Sequence, residues 1–320
     1  MLKFLLKRTF MVSITLFLVS FLTFIIMNIT PGDTAETILR HTFIGIDDPV
    51  KESDVEFVRD KFELSRPLYK QYFDWLKNAF KGDFGNSSTH SISVSSLIFK
   101  RLPYSIYLGI VSIIFSILIA IPIGLISAFK QNKLFDHITR IISLIFYCVP
   151  GFFIAIFLII LFSLKLDMFP VSGVNNGIKS YILPTVTLSL PTIAYMVRMM
   201  RQSSLDVINQ EYIRIAKAKG LTNSEIIRKH VLRNAILPII TVIGLQIGHI
   251  FSGSVIAETI FQWPGIGSLL IESIKSKDFN VVQICIIIIT FGYTVTNFIV
   301  DIVYMVIDPR IKYSSDGDIK

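Results

Sequence analysis

Cysteine and histidine are scarce in this chain of 320 residues, which contains two cysteines and five histidines. Cys148 and Cys285 both fall inside apolar runs, where a thiol is usually a small packing residue and not half of a disulfide or a metal pair. The histidines have no spacing typical of a metal site; they are His41, His90, His137, His230 and His249. The sequence therefore predicts neither a disulfide framework nor a bound metal ion.

The chain also lacks a Gly-Lys dipeptide. A phosphate-binding loop of the G-x-x-x-x-G-K-[ST] type is therefore excluded, because its lysine contacts the phosphates. No arrangement of a nucleophile with a general base can be assembled from the visible motifs either. We expect a protein that is not an enzyme and that uses no cofactor.

Apolar residues dominate, since 52% of the chain is hydrophobic and Phe and Ile occur in long runs. This much apolar surface belongs in a bilayer. A membrane-spanning helix needs about 20 apolar residues. Six stretches reach or approach that length: residues 9–29, 104–128, 138–162, 181–200, 235–257 and 281–307. The sequence therefore predicts an all-α membrane protein with six transmembrane helices, the fourth interrupted by Pro184 and Pro191.

Basic residues at the ends of these stretches predict their orientation. Seventeen of the 31 Lys and Arg residues lie on the side that holds both termini, and the short loops of the other side hold four. The positive-inside rule then places residues 1–8 and 308–320 in the cytoplasm. The net charge of +8 is mainly this topology signal, and without a basic face interleaved with aromatics it predicts no nucleic-acid partner. Residues 104–307, with a cytoplasmic loop at 201–234, form the main transmembrane domain.

The loop 201–234 carries signals for two helices in succession. Four apolar residues share one face of the first helix: Leu205, Ile208, Tyr212 and Ile215. Gly220 follows at a position that favours a left-handed residue after a helix. Thr222 and Glu225 have the spacing of a capping box, and Leu221 and Ile226 that of a hydrophobic staple, so a second helix is predicted to start at once.

This loop resembles the one in permease subunits of binding-protein-dependent ABC importers, in their dipeptide, oligopeptide and nickel branch. The matching residues are EYIRIAKAKGL (Glu211–Leu221) and LRNAILP (Leu232–Pro238). The general family motif has Glu-Ala-Ala before its glycine, whereas this chain has Arg214-Ile215-Ala216, so the match is to the branch. Three further segments also resemble this branch and occur in the same order along the chain: Pro31-Gly32-Asp33, ETIFQWPGIG (Glu258–Gly267) and DPRIK (Asp308–Lys312).

The resemblance implies a type I importer transmembrane fold in a bacterial cell membrane. It implies a second homologous permease, two cytoplasmic ATPase subunits and an extracytoplasmic solute-binding protein as partners. The helix around Ala216–Gly220 is expected to sit in a groove of an ATPase, whose closure on ATP tilts the spans for alternating access. The residues expected at this ATPase-coupling site are Glu211, Tyr212, Arg214, Ala216, Lys217, Ala218, Lys219, Gly220 and Leu221.

The resemblance leaves the substrate open between short peptides, which we expect, and nickel or another metal–chelate complex. A secondary transporter is a different possibility, but it should show internal repeats with paired interrupted spans, and none is visible. A membrane-embedded enzyme would need clustered ionisable groups within the bilayer, for which Asp301 and His249 offer little.

Residues 30–103 separate the first two spans and are too acidic and aromatic for a linker, so we expect them to fold outside the cytoplasm. Within them five residues recur at helical spacing: Leu64, Leu68, Tyr72, Trp75 and Ala79. This pattern predicts a helix in the membrane interface. The resemblance implies a platform that receives the binding protein; the alternative is a cap that only shields the transmembrane bundle.

Polar and small residues interrupt the last two spans. Gly244, Gly248 and Ser252 form a ladder that lets another helix approach, either at the interface with the second permease or inside this subunit. In the sixth span a polar row follows one face: Thr290, Thr294, Asn297 and Asp301. Such residues either line the transport pathway or make structural hydrogen bonds. The candidates for pathway or helix packing are Gln246, His249, Ser252, Asn297 and Asp301.

Overall fold

The computed structural model describes residues 2–29, 35–36, 39–40, 50–61, 65–90 and 92–307, with side chains for all of these except 2–5, 223, 241, 245, 247, 249–253 and 303–307. Helices make up most of this part. Their bounds are α1 Leu2–Ile29, α2 Glu52–Lys61, α3 Leu68–Ala79, α4 Val94–Phe129, α5 Leu134–Cys148, α6 Gly151–Leu158, α7 Ile178–Ile208, α8 Glu211–Ala218, α9 Asn223–Ile226, α10 Leu232–Ile260, α11 Ile266–Lys275 and α12 Phe279–Ile307. Two π-helical stretches extend α6 and α9, at Ile159–Lys165 and Ile227–Val231.

Four of the described helices are long and apolar enough to cross a membrane: Leu6–Ile29, Val94–Phe129, Ile178–Ile208 and Phe279–Ile302. A fifth candidate is the pair formed by α5 and the extended α6. Helix α10 covers the predicted fifth span, 235–257. The prediction of a helical membrane protein is therefore confirmed, while the number of six spans stays a prediction.

The predicted third span, 138–162, is not one straight helix. Helix α5 ends at Cys148, and the helical pair on either side of Pro150 is bent by 104°. Val149 has extended backbone angles, φ −75° and ψ 128°. A residue before proline is disfavoured in the helical region, and proline has no N–H to donate. Apolar composition alone did not reveal this break, because the two halves together are apolar enough to be taken for one span. Cys148 at the break is exposed, so its predicted packing role within this chain was wrong.

The chain divides into two compact units, and the first comprises Met1–Ser105 and Pro264–Gly292. Its main core joins residues from α4, α11 and α12: Val94, Leu97, Ile98, Ile266, Leu269, Val281, Ile284 and Cys285. Asp278 is buried just before α12 and accepts hydrogen bonds from Ser87 Oγ (2.5 Å) and from Thr89 N–H (3.2 Å). These bonds fix the chain before α4 to the chain before α12.

Helix α3 is the predicted amphipathic helix of the first unit, and its apolar face packs on α1. Tyr72 is buried there, and its hydroxyl lies 2.8 Å from Ser20 Oγ. Three phenylalanines of α1 meet the Tyr72 ring edge to face: Phe17, Phe21 and Phe24. The helix is confirmed for Leu68–Ala79, while the predicted Leu64 lies outside the described residues.

The second unit comprises Ile106–Trp263 and Tyr293–Lys320. Its largest buried cluster joins α4 and α7 to α8, α9 and α10, with Met196, Met200, Ile213, Ile226 and Ile239 fully or almost fully buried. The glycine ladder lies inside this unit. A Cβ at Gly248 would stand 3.1 Å from Tyr293 Cδ2, and one at Gly244 would overlap the side chain of Val300, so the two glycines pack α10 against α12.

Candidate functional site

Helix α7 ends at Ile208, and Asn209 and Gln210 separate it from α8. Gln210 is extended, with φ −72° and ψ 149°, so the two helices do not share one continuous face. The predicted stripe from Leu205 to Ile215 was therefore wrong: Leu205 is buried at the end of α7, whereas Ile215 is 57% exposed on α8. Asparagine competes with helix formation through its own polar side chain, which suits the end of α7.

The buried side of α8 is formed by Ile213 and Ala216, three residues apart. Both belong to the cluster that holds Met200 of α7 and Ala235 of α10. Ala216 was expected at the ATPase-coupling site, whereas here its small side chain allows close packing of α8 on this chain's own helices. Contact of Ala216 with an ATPase stays a prediction.

The end of α8 is a Schellman motif. The Gly220 N–H donates to the Lys217 carbonyl (3.0 Å), and the Leu221 N–H donates to the Ala216 carbonyl (3.3 Å). Gly220 has φ +85°, the left-handed conformation predicted for it. No atom of the described residues lies within 4 Å of the position that a Cβ would take there. The requirement for glycine at this point therefore comes from the backbone and not from crowding within the chain.

The next helix begins with the predicted capping box. The Glu225 N–H donates to Thr222 Oγ1 (3.3 Å), and the Thr222 N–H donates to Glu225 Oε2 (3.0 Å). The Thr222 hydroxyl also donates to Glu225 Oε2 (2.9 Å). These donors, the backbone N–H first, lower the pKa of Glu225 below its ordinary value. Ile226 and Leu221 join the same apolar cluster as Ile213, at the positions of the staple.

Helix α8 is also tied to the start of α10 by a polar contact. Asn234 Nδ2 donates to Tyr212 Oη (3.1 Å) and to the His230 carbonyl (2.9 Å). The rings of Tyr212 and His230 lie 6.4 Å apart. Tyr212 is thus held by this chain although 42% of it is exposed. Together with the buried face, this contact fixes the orientation of α8.

The remaining face of α8 is open to solvent. Five residues on this face of α8 and Lys219 of the following turn are exposed: Glu211, Arg214, Ile215, Lys217, Ala218 and Lys219. Ile215 is thus an apolar side chain among basic ones, on a helix whose other face is fixed. Ile215 was not among the residues expected at the coupling site, because its spacing from Leu205 and Ile208 predicted a place on the buried face. Ile213 and Ala216 are three residues apart and therefore also share one face of a helix. If that face is the buried one, Ile215 points outward.

The predicted pathway residues are partly described. Gln246 Oε1 accepts a hydrogen bond from Thr192 Oγ1 at 3.5 Å, which joins α10 to α7. Asn297 Oδ1 is buried, accepts no hydrogen bond from a described residue, and would lie 3.3 Å from a Cβ at Gly248. Asp301 is half-buried one turn further along α12. His249 and Ser252 lie on α10, but their side chains are outside the described part.

Comparison with known proteins gives two family matches that together cover most of the chain. Residues 120–313 match the family described as binding-protein-dependent transport system inner membrane component. Residues 1–109 match the family of the N-terminal region of the same membrane component. The curated relatives agree over nearly full length. The chain is 34% identical to the glutathione transport system permease protein GsiC of Escherichia coli (strain K12) over 314 residues, 98% of this chain and all of the relative.

A second relative is the oligopeptide transport system permease protein AppB of Bacillus subtilis (strain 168). The chain is 36% identical to it over 323 residues, again 98% of this chain and all of the relative. The exposed, capped helix after α7 lies within the stretch that matches the inner membrane component family. The chain therefore belongs to the family of binding-protein-dependent transport system inner membrane components, and it is a permease subunit of an ABC importer, a multi-pass protein of the bacterial inner membrane and not an enzyme.

Proposed function

We propose that this permease carries short peptides into the cytoplasm, together with a second homologous permease, two ATPase subunits and an extracytoplasmic binding protein. The two relatives described above are named for glutathione, which is itself a tripeptide, and for oligopeptides. Each matches this chain over its whole length. These names favour peptides over nickel or another metal–chelate complex as the substrate.

The exposed face of α8 is the proposed contact with an ATPase, and it is the observation that carries the coupling role. Ile215 projects from a helix that is held from behind by Ile213, Ala216 and the Tyr212–Asn234 hydrogen bond. An apolar side chain surrounded by Arg214 and Lys217 suits a partner groove with an apolar floor and acidic edges. Because α8 cannot shift alone without uncovering its buried face, force applied to it reaches α7 and α10.

The proposed topology has six spans with both termini in the cytoplasm. α10 supplies the fifth span, and the bent pair α5–α6 supplies the third. Residues 30–103 then lie outside, where α3 and the chain before α4 receive the binding protein. This arrangement puts α8 on the same side as the ATPases, as the basic residues of 201–234 require.

Substitution of Ile215 tests the coupling site in the complete transporter. Ile215→Asp should lower peptide uptake about tenfold or more, because loss of a central interface anchor costs about 2 kcal/mol. Ile215→Met, which keeps the apolar surface, should retain uptake. Both variants should accumulate normally in the membrane, since residue 215 is exposed. Normal uptake by Ile215→Asp would remove α8 as the coupling site.

The substrate is tested in a strain from which this subunit is deleted. Uptake of radiolabelled dipeptides and tripeptides should fall and return when the gene is restored, while cellular nickel should not change. If nickel or another transition metal falls while peptides enter normally, the peptide assignment is wrong.

A further inference from the structure

Asp136, in the first turn of α5, is a fully buried carboxylate with four hydrogen-bond donors. Arg201 of α7 donates to it twice, from Nε to Oδ1 (2.6 Å) and from Nη2 to Oδ2 (2.8 Å). Ser127 Oγ donates to Oδ1 (2.6 Å), and the Asn132 N–H donates to Oδ2 (3.0 Å). A bidentate arginine pair of this geometry is among the strongest polar contacts in proteins.

The four donors belong to three residues, which lie in separate parts of the second unit. Ser127 lies near the end of α4, Asn132 lies in the turn before α5 with φ +62°, and Arg201 lies two turns before the end of α7. Next to this network α4 and α7 are in direct contact. A Cβ on Gly124 would stand 2.6 Å from Met200 Cβ and 3.0 Å from the Val197 carbonyl oxygen.

A second contact joins the same part of α7 to α10, where Ser203 Oγ donates to the Ala235 carbonyl (3.0 Å). Separating Asp136 from Arg201 would leave a buried charge without its partner, which is strongly unfavourable. The α4–α5 turn and the end of α7 therefore form one block. Helix α8 begins ten residues after Arg201, so the block lies directly behind the proposed coupling site.

We infer that Asp136 and Arg201 are positioning residues that lock the α4–α5 turn to the end of α7, so that a displacement of α8 by an ATPase moves α4 and α5 as well. The inference rests on the proposed function of α8. Without the lock, α7 can follow α8 while α4 and α5 stay behind, and ATP hydrolysis proceeds without transport. The expected defect is therefore in the ratio of peptide transported to ATP hydrolysed and not in assembly.

The test uses the complete transporter in proteoliposomes with Asp136→Asn and Arg201→Lys. Asp206→Asn and Arg198→Lys are matched controls, because both residues are exposed on α7 and outside the network. Asp136→Asn should assemble and keep basal ATPase activity, but transport per ATP should fall about tenfold, within the range typical of coupling between sites. In Arg201→Lys, which keeps the charge but loses the bidentate contact, transport per ATP should fall less. The controls should behave as wild type.

A distance measurement separates a positioning role from a merely structural one. Spin labels at the exposed positions Lys133 and Asn209, in a Cys148→Ser background, report the separation of the α4–α5 turn from the end of α7. Wild type should give the same narrow distance distribution in the resting and ATP-trapped states, and Asp136→Asn should give distributions that differ between the states. If Asp136→Asn does not assemble, the same measurement is made on Arg201→Lys: distance distributions that differ between the two states support the inference, and identical distributions contradict it.

Wild-type coupling and unchanged distances in Asp136→Asn would overturn the inference. If Ile215→Asp is uncoupled in the same assay, the proposed function still stands. If neither variant is impaired, the proposed coupling site fails as well.

Discussion

Gly244 on α10 lies directly against Val300 on α12, so that a Cβ at position 244 would overlap both methyl groups of the valine. The valine cannot turn away easily, because its branched side chain is restricted at χ1 in a helix. The two helices approach this closely only because one of them has no side chain at the contact. The small-residue ladder therefore works inside this subunit at Gly244 and Gly248.

Gly244→Ala should destabilise the protein by about 1–3 kcal/mol through overpacking. Gly151→Ala is the matched control, since no atom in the described part of the chain lies within 4 Å of a Cβ at Gly151. Thermal unfolding of the detergent-solubilised transporter measures the effect. Val300→Ala removes the obstructing methyl groups, so the double variant Gly244→Ala with Val300→Ala should recover part of the loss. An unchanged melting temperature for Gly244→Ala alone would contradict this packing.

Gly220→Val should abolish or strongly reduce uptake while the subunit stays in the membrane. A β-branched residue in the left-handed conformation costs on the order of 1–2 kcal/mol, and its bulk would stand on the exposed face next to α8. Gly82→Val controls for backbone strain, because Gly82 has φ +81° and also has open space around its Cβ position. Peptide uptake distinguishes general backbone strain from a specific effect at position 220. Similar uptake by Gly220→Val and Gly82→Val would show that position 220 has no special role in coupling.

Cysteine labelling should place Lys81 outside the cell and Ser224 inside. Both residues are exposed, and neither lies in a candidate span. Ser87 is unsuitable as a probe because it is buried and donates to Asp278. In a Cys148→Ser background, a membrane-impermeant maleimide should label Lys81→Cys in intact cells and should label Ser224→Cys only after lysis. The opposite pattern would invert the topology and remove α8 from the ATPase side.

The capping box should weaken at acidic pH. The folded-state pKa of Glu225 lies below its ordinary value, so its contribution is fully present above the ordinary range and is lost as the pH falls through the lowered pKa. Hydrogen exchange of the Thr222 and Glu225 amides, corrected for intrinsic rates, should show this loss of protection. Glu225→Gln keeps an acceptor and should show no such pH dependence, while Thr222→Ala should exchange about fivefold faster at neutral pH.

Local signals in the sequence predicted the end of α8 and the start of α9 well. The glycine at 220 and the pair Thr222 and Glu225 carry their structural meaning within three or four residues, and the structure has the Schellman motif and the capping box that they predict. The apolar length of each span likewise predicted most of the membrane helices. Such features depend on backbone conformation and side-chain chemistry at one place, which a sequence displays directly.

Features that depend on partners elsewhere in the chain were not predictable in the same way. Ile213 and Ile215 are equally apolar and each fits a helical phase of α8, and packing against Met200 and Ala235 selects the phase that buries Ile213. Asp136 and Arg201 are 65 residues apart, and nothing near either residue indicates the other. From the sequence alone, Arg201 is one of the basic residues of the loop 201–234 that predict the topology, whereas the structure shows it paired with a buried carboxylate.

The first unit is assembled from two segments that lie far apart in the chain, Met1–Ser105 and Pro264–Gly292, and this delays the formation of its core. Val94, Leu97 and Ile98 leave the ribosome long before Ile266 and Val281, with all of Ile106–Trp263 made in between. At roughly 10 residues per second this interval is on the order of 15 seconds. Throughout that time the apolar face of α4 lacks its native cover, and Ser87 lacks Asp278. The unit that starts translation can therefore complete its core only after Ile106–Trp263 of the second unit has been made, and a chain that stops near Trp263 carries an unfinished core by which the quality-control proteases of the cell can recognise it.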